Sequence, residues 1–178
     1  MRAPSAASIL RTERLRLRRL RAGDQEFLAS LDSDPLVMQY IHSGPFSLPR
    51  ALRHAELEVE TADMYWHTGK WIAELQEGAS IGWVQLFKFS SAQRDDIAIG
   101  YEFAPAYWGQ GYATEANRRM LAYAFETLKL DRVLAMARPE NGRSLRVLEK
   151  LGFQKIGQRR DEGRNLCNLY RVLPEDCV

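Results

Sequence analysis

Hydrophobic and polar residues alternate with two different periods along the chain, and these periods predict its strands and helices. Leu15 and Leu17 alternate with arginines, which is typical of a strand with one apolar face. Residues 97–103 alternate in the same way over a longer run. From Gly111 onward the apolar residues return every three or four positions, which predicts an amphipathic helix. Across the whole chain, strands are predicted over 14–18, 70–76, 80–89, 97–103, 132–137, 154–158 and 166–172, and the run over 132–137 is short and apolar.

Helix boundaries follow from capping residues and glycines. Asp24 and Asp34 precede short apolar stretches and are expected to cap two short helices. Longer helices are predicted over 47–62 and 141–151, and Gly152 ends the second of these. The order of the elements predicts an α+β fold, with a mixed, mostly antiparallel central sheet of about six to seven strands flanked by helices.

The length and composition fit one compact domain. The chain has 178 residues, of which 46% are hydrophobic, and domains of about 100–200 residues are common. We expect a single domain over residues 10–173, an N-terminal tail over 1–9 and a C-terminal tail over 174–178.

The charge balance gives no strong electrostatic case for a nucleic-acid partner. Lysine and arginine total 25 against 23 acidic residues, which leaves a net charge of +2. The arginine-rich stretch 11–21 keeps an RNA-associated module open as an alternative. Because this charge is balanced elsewhere, a solvated strand face with outward-facing arginines is the simpler interpretation, and we predict no specific nucleic-acid partner.

The cysteines and histidines predict neither a disulfide scaffold nor a metal site. Cys167 and Cys177 lack a CxxC spacing, and the three histidines lack the spacing of metal ligands. Residues 1–8 have no apolar core like that of a signal peptide, and no stretch approaches the ~20 apolar residues of a membrane helix. These features predict a cytoplasmic protein with no metal and no membrane partner.

The segment 105–115 joins a predicted strand to a predicted helix and carries glycines at 109 and 111. Glycines let backbone N–H groups approach an anion closely, and a helix N-terminus adds the positive end of its dipole. A dinucleotide fingerprint would need a small residue where Thr114 stands, and a P-loop would need a lysine. A diphosphate-binding loop is therefore the functional interpretation, and a plain tight turn is the alternative.

Two separate motifs resemble those of the GNAT superfamily of N-acetyltransferases. Segments 99–101 (IGY) and 107–116 (YWGQGYATEA) are similar to its acetyl-CoA-binding strand and loop. Segment 141–153, which begins with Asn-x-x-Ser, resembles its downstream helix. Segment 12–17 (TERLRL) resembles the first strand of the branch that acetylates the N-termini of ribosomal proteins. The resemblance covers roughly residues 10–172.

The resemblance implies acetyl-CoA as cosubstrate and a set of residues that hold it. Backbone N–H groups of the loop would bind the pyrophosphate, and the strand before the loop would pair with the amide arm. Trp108 stands where the superfamily often has Gln or Arg, a small departure that the ribosomal branch tolerates. The implied cofactor-binding residues are Phe103, Ala104, Trp108, Gly109, Gln110, Gly111, Tyr112, Ala113, Thr114, Asn141 and Ser144.

Two residues are candidates for the chemistry. Many superfamily members carry a tyrosine where Leu148 stands, whereas the ribosomal branch is thought to use the serine that corresponds to Ser144. Ser144 is therefore predicted to hydrogen-bond the leaving sulfur. Many relatives carry a glutamate at the position of Ala98, and strand parity puts Glu102 on the same face. Glu102 is the candidate general base, acting through water; the alternatives are a solvated carboxylate and a reaction without a dedicated base.

The implied function is transfer of an acetyl group from acetyl-CoA to a primary amine by direct attack. The acceptor is a protein N-terminus or a small-molecule amine, and the branch resemblance favours the former. A catalytically weak acyl-CoA-binding or sensing domain is the alternative, because Ala98 and Leu148 depart from the family pattern. A homodimer is expected by family analogy only.

Overall fold

The computed structural model describes residues 9–41, 44–65, 68–90, 95–161 and 163–177. Its strands are β1 (Leu10–Arg11), β2 (Leu15–Arg19), β3 (Gly69–Leu75), β4 (Ser80–Ser90), β5 (Asp95–Phe103), β6 (Val133–Ala137), β7 (Gln154–Arg160) and β8 (Leu166–Val172). Its α-helices are α1 (Gln25–Asp32), α2 (Leu48–Thr61), α3 (Tyr112–Ala122) and α4 (Gly142–Lys150). Most of the expected N-terminal tail, together with His42 and His67, lies outside the described residues.

The eight strands form one sheet in the order β1-β2-β3-β4-β5-β6-β8-β7, one strand more than the upper prediction. The additional strand is β1, whose two residues pair with Leu17 and Arg16 of β2. A two-residue strand shows no alternation, so only its pairing reveals it. The α+β class and the mostly antiparallel sheet are confirmed.

The two halves of the sheet part between β5 and β6. This is the one parallel pair among the described strands, and it is held by a single registered pair, Ala98 with Leu134. After this pair, residues 99–103 of β5 and 135–137 of β6 line a cavity that lies between the C-terminal ends of the two strands, and this space is the gap in the sheet. β6 continues into β8 and β7 on the far side of the gap.

Both faces of the sheet are covered by helices. Leu15 and Leu17 contribute to a large apolar core that includes Met120 of α3 and Leu148 of α4. On the opposite face, a second cluster joins β3 and β4 to α1 and α2. Its buried members are Leu20, Leu28, Leu31, Val37, Ala55, Ile72 and Trp83.

The expectation that the arginines of segment 14–18 form a solvated strand face is wrong for Arg18, and polar residues of β5 are buried as well. Arg18 is only 8% exposed and donates hydrogen bonds to Asp24 and Glu74 at 2.6–2.8 Å. Asp96 is buried and pairs with Arg132 at 2.8 Å. The polar residues of these strands therefore face a protein interior, where each charge needs a partner.

Gly82 of β4 pairs with Phe103 at the C-terminal end of β5, and we expect Gly82→Ala to destabilise the fold. A Cβ at this position would overlap the carbonyl oxygen of Glu102 and the ring of Phe103. The expected loss is about 2 kcal/mol of unfolding free energy, measured by urea denaturation. Gly157→Ala is the matched control, because an added Cβ there meets no atom within 4 Å. Equal midpoints for the two variants would contradict the overlap.

Candidate active site

A cavity of about 930 Å³ lies in the gap between β5 and β6. One side is formed by residues 108–114, called the glycine loop below, and by the first turn of α4. The other side is formed by α1, α2 and the polar face of β4 and β5. The cavity therefore connects two chemically different compartments through the opening in the sheet.

The glycine loop turns the chain sharply into α3. Gly109 and Gly111 have φ angles of +75° and +86°, which side-chain-bearing residues rarely adopt. Gly111 is the N-cap of α3, so the N–H groups of Tyr112, Ala113 and Thr114 have no acceptor within the helix. Together with the helix dipole, these N–H groups make the loop suited to a diphosphate.

Side chains from the β1–β2 turn hold the glycine loop in place. Glu115 accepts hydrogen bonds from Oγ1 of Thr12 at 2.5 Å and from the backbone N and Nε of Arg14 at 2.9 and 2.6 Å. Arg14 also donates to the carbonyl oxygen of Gln110 at 3.0 Å. Burial alone would raise the pKa of Glu115, but these hydrogen bonds outweigh it and hold the pKa below its ordinary value. Segment 12–14 therefore braces the start of α3.

Trp108 fixes the other end of the glycine loop. Its indole Nε1 donates to the carbonyl oxygen of Phe103 at 2.6 Å, which ties the loop to the end of β5. The guanidinium of Arg143 lies 4.1 Å from the centre of its ring. This stacking places a positive charge from α4 beside the loop, where it would favour an anionic ligand.

The first turn of α4 presents Ser144 to the cavity. The side chain of Asn141 accepts a hydrogen bond from the backbone N of Ser144 at 3.1 Å, so Asn141 caps the helix. Oγ of Ser144 lies 2.9 Å from the phenol oxygen of Tyr101 on β5. Burial raises the pKa of Tyr101 to about 12, partly opposed by this hydrogen bond. Leu148, one turn later, is in the apolar core and offers no polar group.

Glu102 lies on the opposite side of the gap and is 7% exposed, not solvated. Among the described residues, its Oε2 has no hydrogen-bond partner. Burial raises the pKa of Glu102 to about 8, against the opposing charge of Lys70, while Asp32 and Glu58 act in the same direction as burial. A buried carboxyl facing a cavity with a pKa near neutrality is suited to exchange protons with a ligand.

The compartment around Glu102 contains two ion pairs. Nδ1 of His54 lies 2.8 Å from Asp32, and this hydrogen bond raises the pKa of His54 despite burial. Nζ of Lys70 donates to both oxygens of Glu58 at 2.7 Å and lies 4.0 Å from the centre of the Trp83 ring. The compartment, called the acidic pocket below, consists of Asp32, His54, Glu58, Lys70, Trp83 and Glu102.

Most of the predicted site residues meet in this one cavity. Gln110 and Ala104 do not line it; the amide of Gln110 instead donates to the carbonyl oxygen of Ala106, and Ala104 packs against the α1–α2 cluster. The sequence interpretation missed most of the acidic pocket. His54 and Glu58 are four residues apart on α2, and this spacing was the available signal. The predicted residues that line the cavity are Glu102, Phe103, Trp108, Gly109, Gly111, Tyr112, Ala113, Thr114, Asn141 and Ser144.

In the part of the chain that the structure describes, no helix is long and apolar enough to cross a membrane. Within the same residues, no group of three or more His, Cys, Asp or Glu side chains is arranged to hold a metal ion. Cys167 and Cys177 are both free thiols.

Two solved structures share this fold. A spermidine N-acetyltransferase from Vibrio cholerae, in complex with CoA and spermine, superposes with a TM-score of 0.77 at 24% identity and covers 93% of this chain and 98% of its own. A ribosomal-protein-S5-alanine acetyltransferase from Vibrio fischeri gives a TM-score of 0.77 at 18% identity, covering 97% and 100%. At these identities the likeness establishes the fold.

Sequence comparison establishes the family. Residues 14–154 match the family model described as an acetyltransferase (GNAT) domain. An uncharacterised N-acetyltransferase, p20, of Bacillus licheniformis is 30% identical over 152 residues, which cover 85% of each chain. The glycine loop, the first turn of α4 and the acidic pocket lie within the matched region. The chain therefore belongs to the GNAT family and is an acetyltransferase.

Proposed function

We propose that the protein transfers the acetyl group of acetyl-CoA to a primary α-amine by direct attack. The glycine loop binds the pyrophosphate, the thioester lies in the gap beside Ser144, and the amine enters from the acidic pocket. The observation that carries this proposal is the buried carboxyl of Glu102, which opens onto the same cavity as the glycine loop and has one oxygen without a hydrogen-bond partner among the described residues.

The charge of the two compartments supports this assignment of ligands. The glycine loop offers backbone N–H groups, with Arg143 stacked beside it, which suits the phosphates of a coenzyme. The acidic pocket offers carboxyl oxygens as hydrogen-bond acceptors to an amine; Asp32 and Glu58 are paired with His54 and Lys70, and Glu102 becomes ionised near pH 8. An amine and an anionic cosubstrate would thus approach the reaction centre from opposite sides.

The acceptor must lose a proton before its nitrogen can attack the thioester carbonyl. An α-amino group has a pKa of about 7.7–8.0, whereas a lysine-like amine has a pKa of about 10.4. Glu102, with a pKa near 8, can take a proton from the first at almost no cost, directly or through a water molecule. Proton transfer from a lysine-like amine to Glu102 is unfavourable, because the pKa of that amine lies about 2 units above that of Glu102. Together with the resemblance of segment 12–17 to the ribosomal branch, this comparison favours a protein N-terminus over a polyamine.

The leaving sulfur needs stabilisation when the carbon–sulfur bond breaks. The hydroxyl of Ser144 lines the cavity from the capped first turn of α4, and it can donate a hydrogen bond to the thiolate. In this proposal Glu102 accepts the proton of the acceptor amine, and Ser144 donates a hydrogen bond to the leaving sulfur. A cytoplasmic location and a homodimer remain predictions.

Calorimetry with acetyl-CoA, followed by thiol release in the same sample, tests the proposal. The amine panel contains peptides with free N-termini, the same peptides with blocked N-termini, free amino acids, and spermidine. We expect micromolar binding of acetyl-CoA, and thiol release that requires a free α-amine. Thiol release with spermidine, and with none of the α-amines, would contradict the α-amine assignment and make a polyamine the acceptor. Binding without release would favour the acyl-CoA-sensing alternative, and no binding would contradict the role of the glycine loop.

A further inference from the structure

Two hydroxyl groups meet across the gap in the sheet. The phenol oxygen of Tyr101, on the third residue from the end of β5, lies 2.9 Å from Oγ of Ser144 in the first turn of α4. The ring of Tyr101 packs against the large apolar core, so its position is set by β5 and its surroundings. The contact joins β5 to α4, the helix that follows β6 in the chain.

The direction of this hydrogen bond follows from the acidity of the two groups. A phenol has an ordinary pKa of about 10 and is the stronger donor of the two hydroxyls. The other acceptor within reach of the phenol is the backbone carbonyl oxygen of Ser144, at 3.4 Å, which is long for an O–H···O bond. Either hydroxyl can donate in this contact, and the order of acidity favours Tyr101 as the donor, which leaves the serine proton to point elsewhere.

We propose that Tyr101 is a positioning residue for the leaving group, which turns the hydroxyl of Ser144 toward the sulfur of the thioester. The inference rests on the proposed function, because it assigns the leaving sulfur to this part of the cavity. Oγ of Ser144 accepts from Tyr101 and donates to the sulfur, so one hydroxyl serves both contacts. The two donors in line strengthen each other, since accepting a hydrogen bond makes a hydroxyl a better donor.

Tyr101 and Ser144 stabilise the leaving sulfur by hydrogen bonding and do not transfer a proton to it. Attack by the neutral amine forms a carbon–nitrogen bond and leaves an extra proton on nitrogen, which is released to water; the carbon–sulfur bond breaks, and its electron pair stays on sulfur. An ordinary thiol has a pKa of about 8.5, whereas burial raises the pKa of Tyr101 to about 12. A proton would not move from the phenol to the thiolate across such a difference. The pair stabilises the thiolate, which takes its proton from water after release.

A double-mutant cycle tests this assignment. We expect Tyr101→Phe to lower kcat by about 5- to 10-fold, with the Kd for acetyl-CoA unchanged, because the variant keeps the ring and loses only the hydroxyl. In the Ser144→Ala background the same substitution is expected to have no further effect, since the group that Tyr101 positions is gone. A multiplicative loss in the double variant, or an unchanged kcat in Tyr101→Phe, would overturn the proposal.

Tyr123→Phe is the matched control for the loss of a core phenol. Tyr123 packs against Trp71 in the same core, with ring centres 5.5 Å apart, and does not line the cavity. It is expected to keep wild-type kcat, and thermal melting checks that both variants fold. If wild-type protein binds acetyl-CoA but acetylates no amine, the proposed function fails and this inference fails with it. Wild-type turnover together with an unaffected Tyr101→Phe would overturn this inference alone.

Discussion

Glu102→Gln is expected to lower kcat by about 100-fold while leaving the Kd for acetyl-CoA unchanged, because it removes the group that accepts the amine proton. The carboxyl is buried, opens onto the cavity and has one oxygen without a partner among the described residues. In the wild type, kcat should rise with pH until about pH 8, where the carboxyl becomes ionised. This limb should disappear in the variant. Steady-state rates between pH 6 and 9.5 measure both effects.

The same substitution is expected to stabilise the fold at alkaline pH. The Glu102 carboxyl in the folded protein keeps its proton up to about pH 8, whereas an unfolded glutamate releases its proton at about pH 4.3. The folded state therefore binds more protons between these values, and its stability falls as the pH rises through that window. Glutamine carries no charge and avoids this loss. Glu102→Gln should therefore melt at a higher temperature than wild type at pH 8, and the difference should shrink at pH 5.

Glu77→Gln provides the control for these measurements. Glu77 is exposed in the β3–β4 turn, so its replacement should change neither the rate nor the pH dependence of melting. A pH limb that persists in Glu102→Gln would assign that limb to the acceptor amine itself. A rate within about 3-fold of wild type would remove Glu102 as the base and favour proton loss directly to water.

Ser144→Ala is expected to lower kcat by about 30-fold, again with little change in the affinity for acetyl-CoA. A hydrogen bond to a charged group contributes about 1.5–3 kcal/mol, and the thiolate is charged only in the late part of the reaction. The cap of α4 should persist, because Asn141 accepts from the backbone N of residue 144 and not from its side chain. Stopped-flow or steady-state thiol release gives kcat, and calorimetry gives the affinity.

Ser30→Ala serves as the matched serine control, because Ser30 is exposed on α1 and its hydroxyl donates to the carbonyl oxygen of Phe27, away from the cavity. It should behave as wild type. Loss of acetyl-CoA affinity in Ser144→Ala without loss of kcat would make Ser144 a cosubstrate contact. An unchanged kcat and an unchanged affinity would remove it from the reaction.

Local patterns in the sequence were sufficient for most of the backbone. Seven of the eight strands were predicted from local patterns of apolar and polar residues, and α3 from apolar residues spaced three or four apart. The glycine loop was predictable because positive φ angles at 109 and 111 require a residue without a side chain. These features depend on neighbours within a few residues, which is why the period of a segment reveals them.

The environment of the site could be decided only by the tertiary structure. Strand parity placed Glu102 on the polar face of β5, but it could not show that α1 and α2 cover that face and bury the carboxyl. The contact between Tyr101 and Ser144 joins residues 43 positions apart, on β5 and on the helix that follows β6 in the chain. The spacing of apolar residues along a segment depends only on whether that segment is a strand or a helix. Its burial, its charged neighbours and hence its pKa depend on elements that meet only in the folded chain.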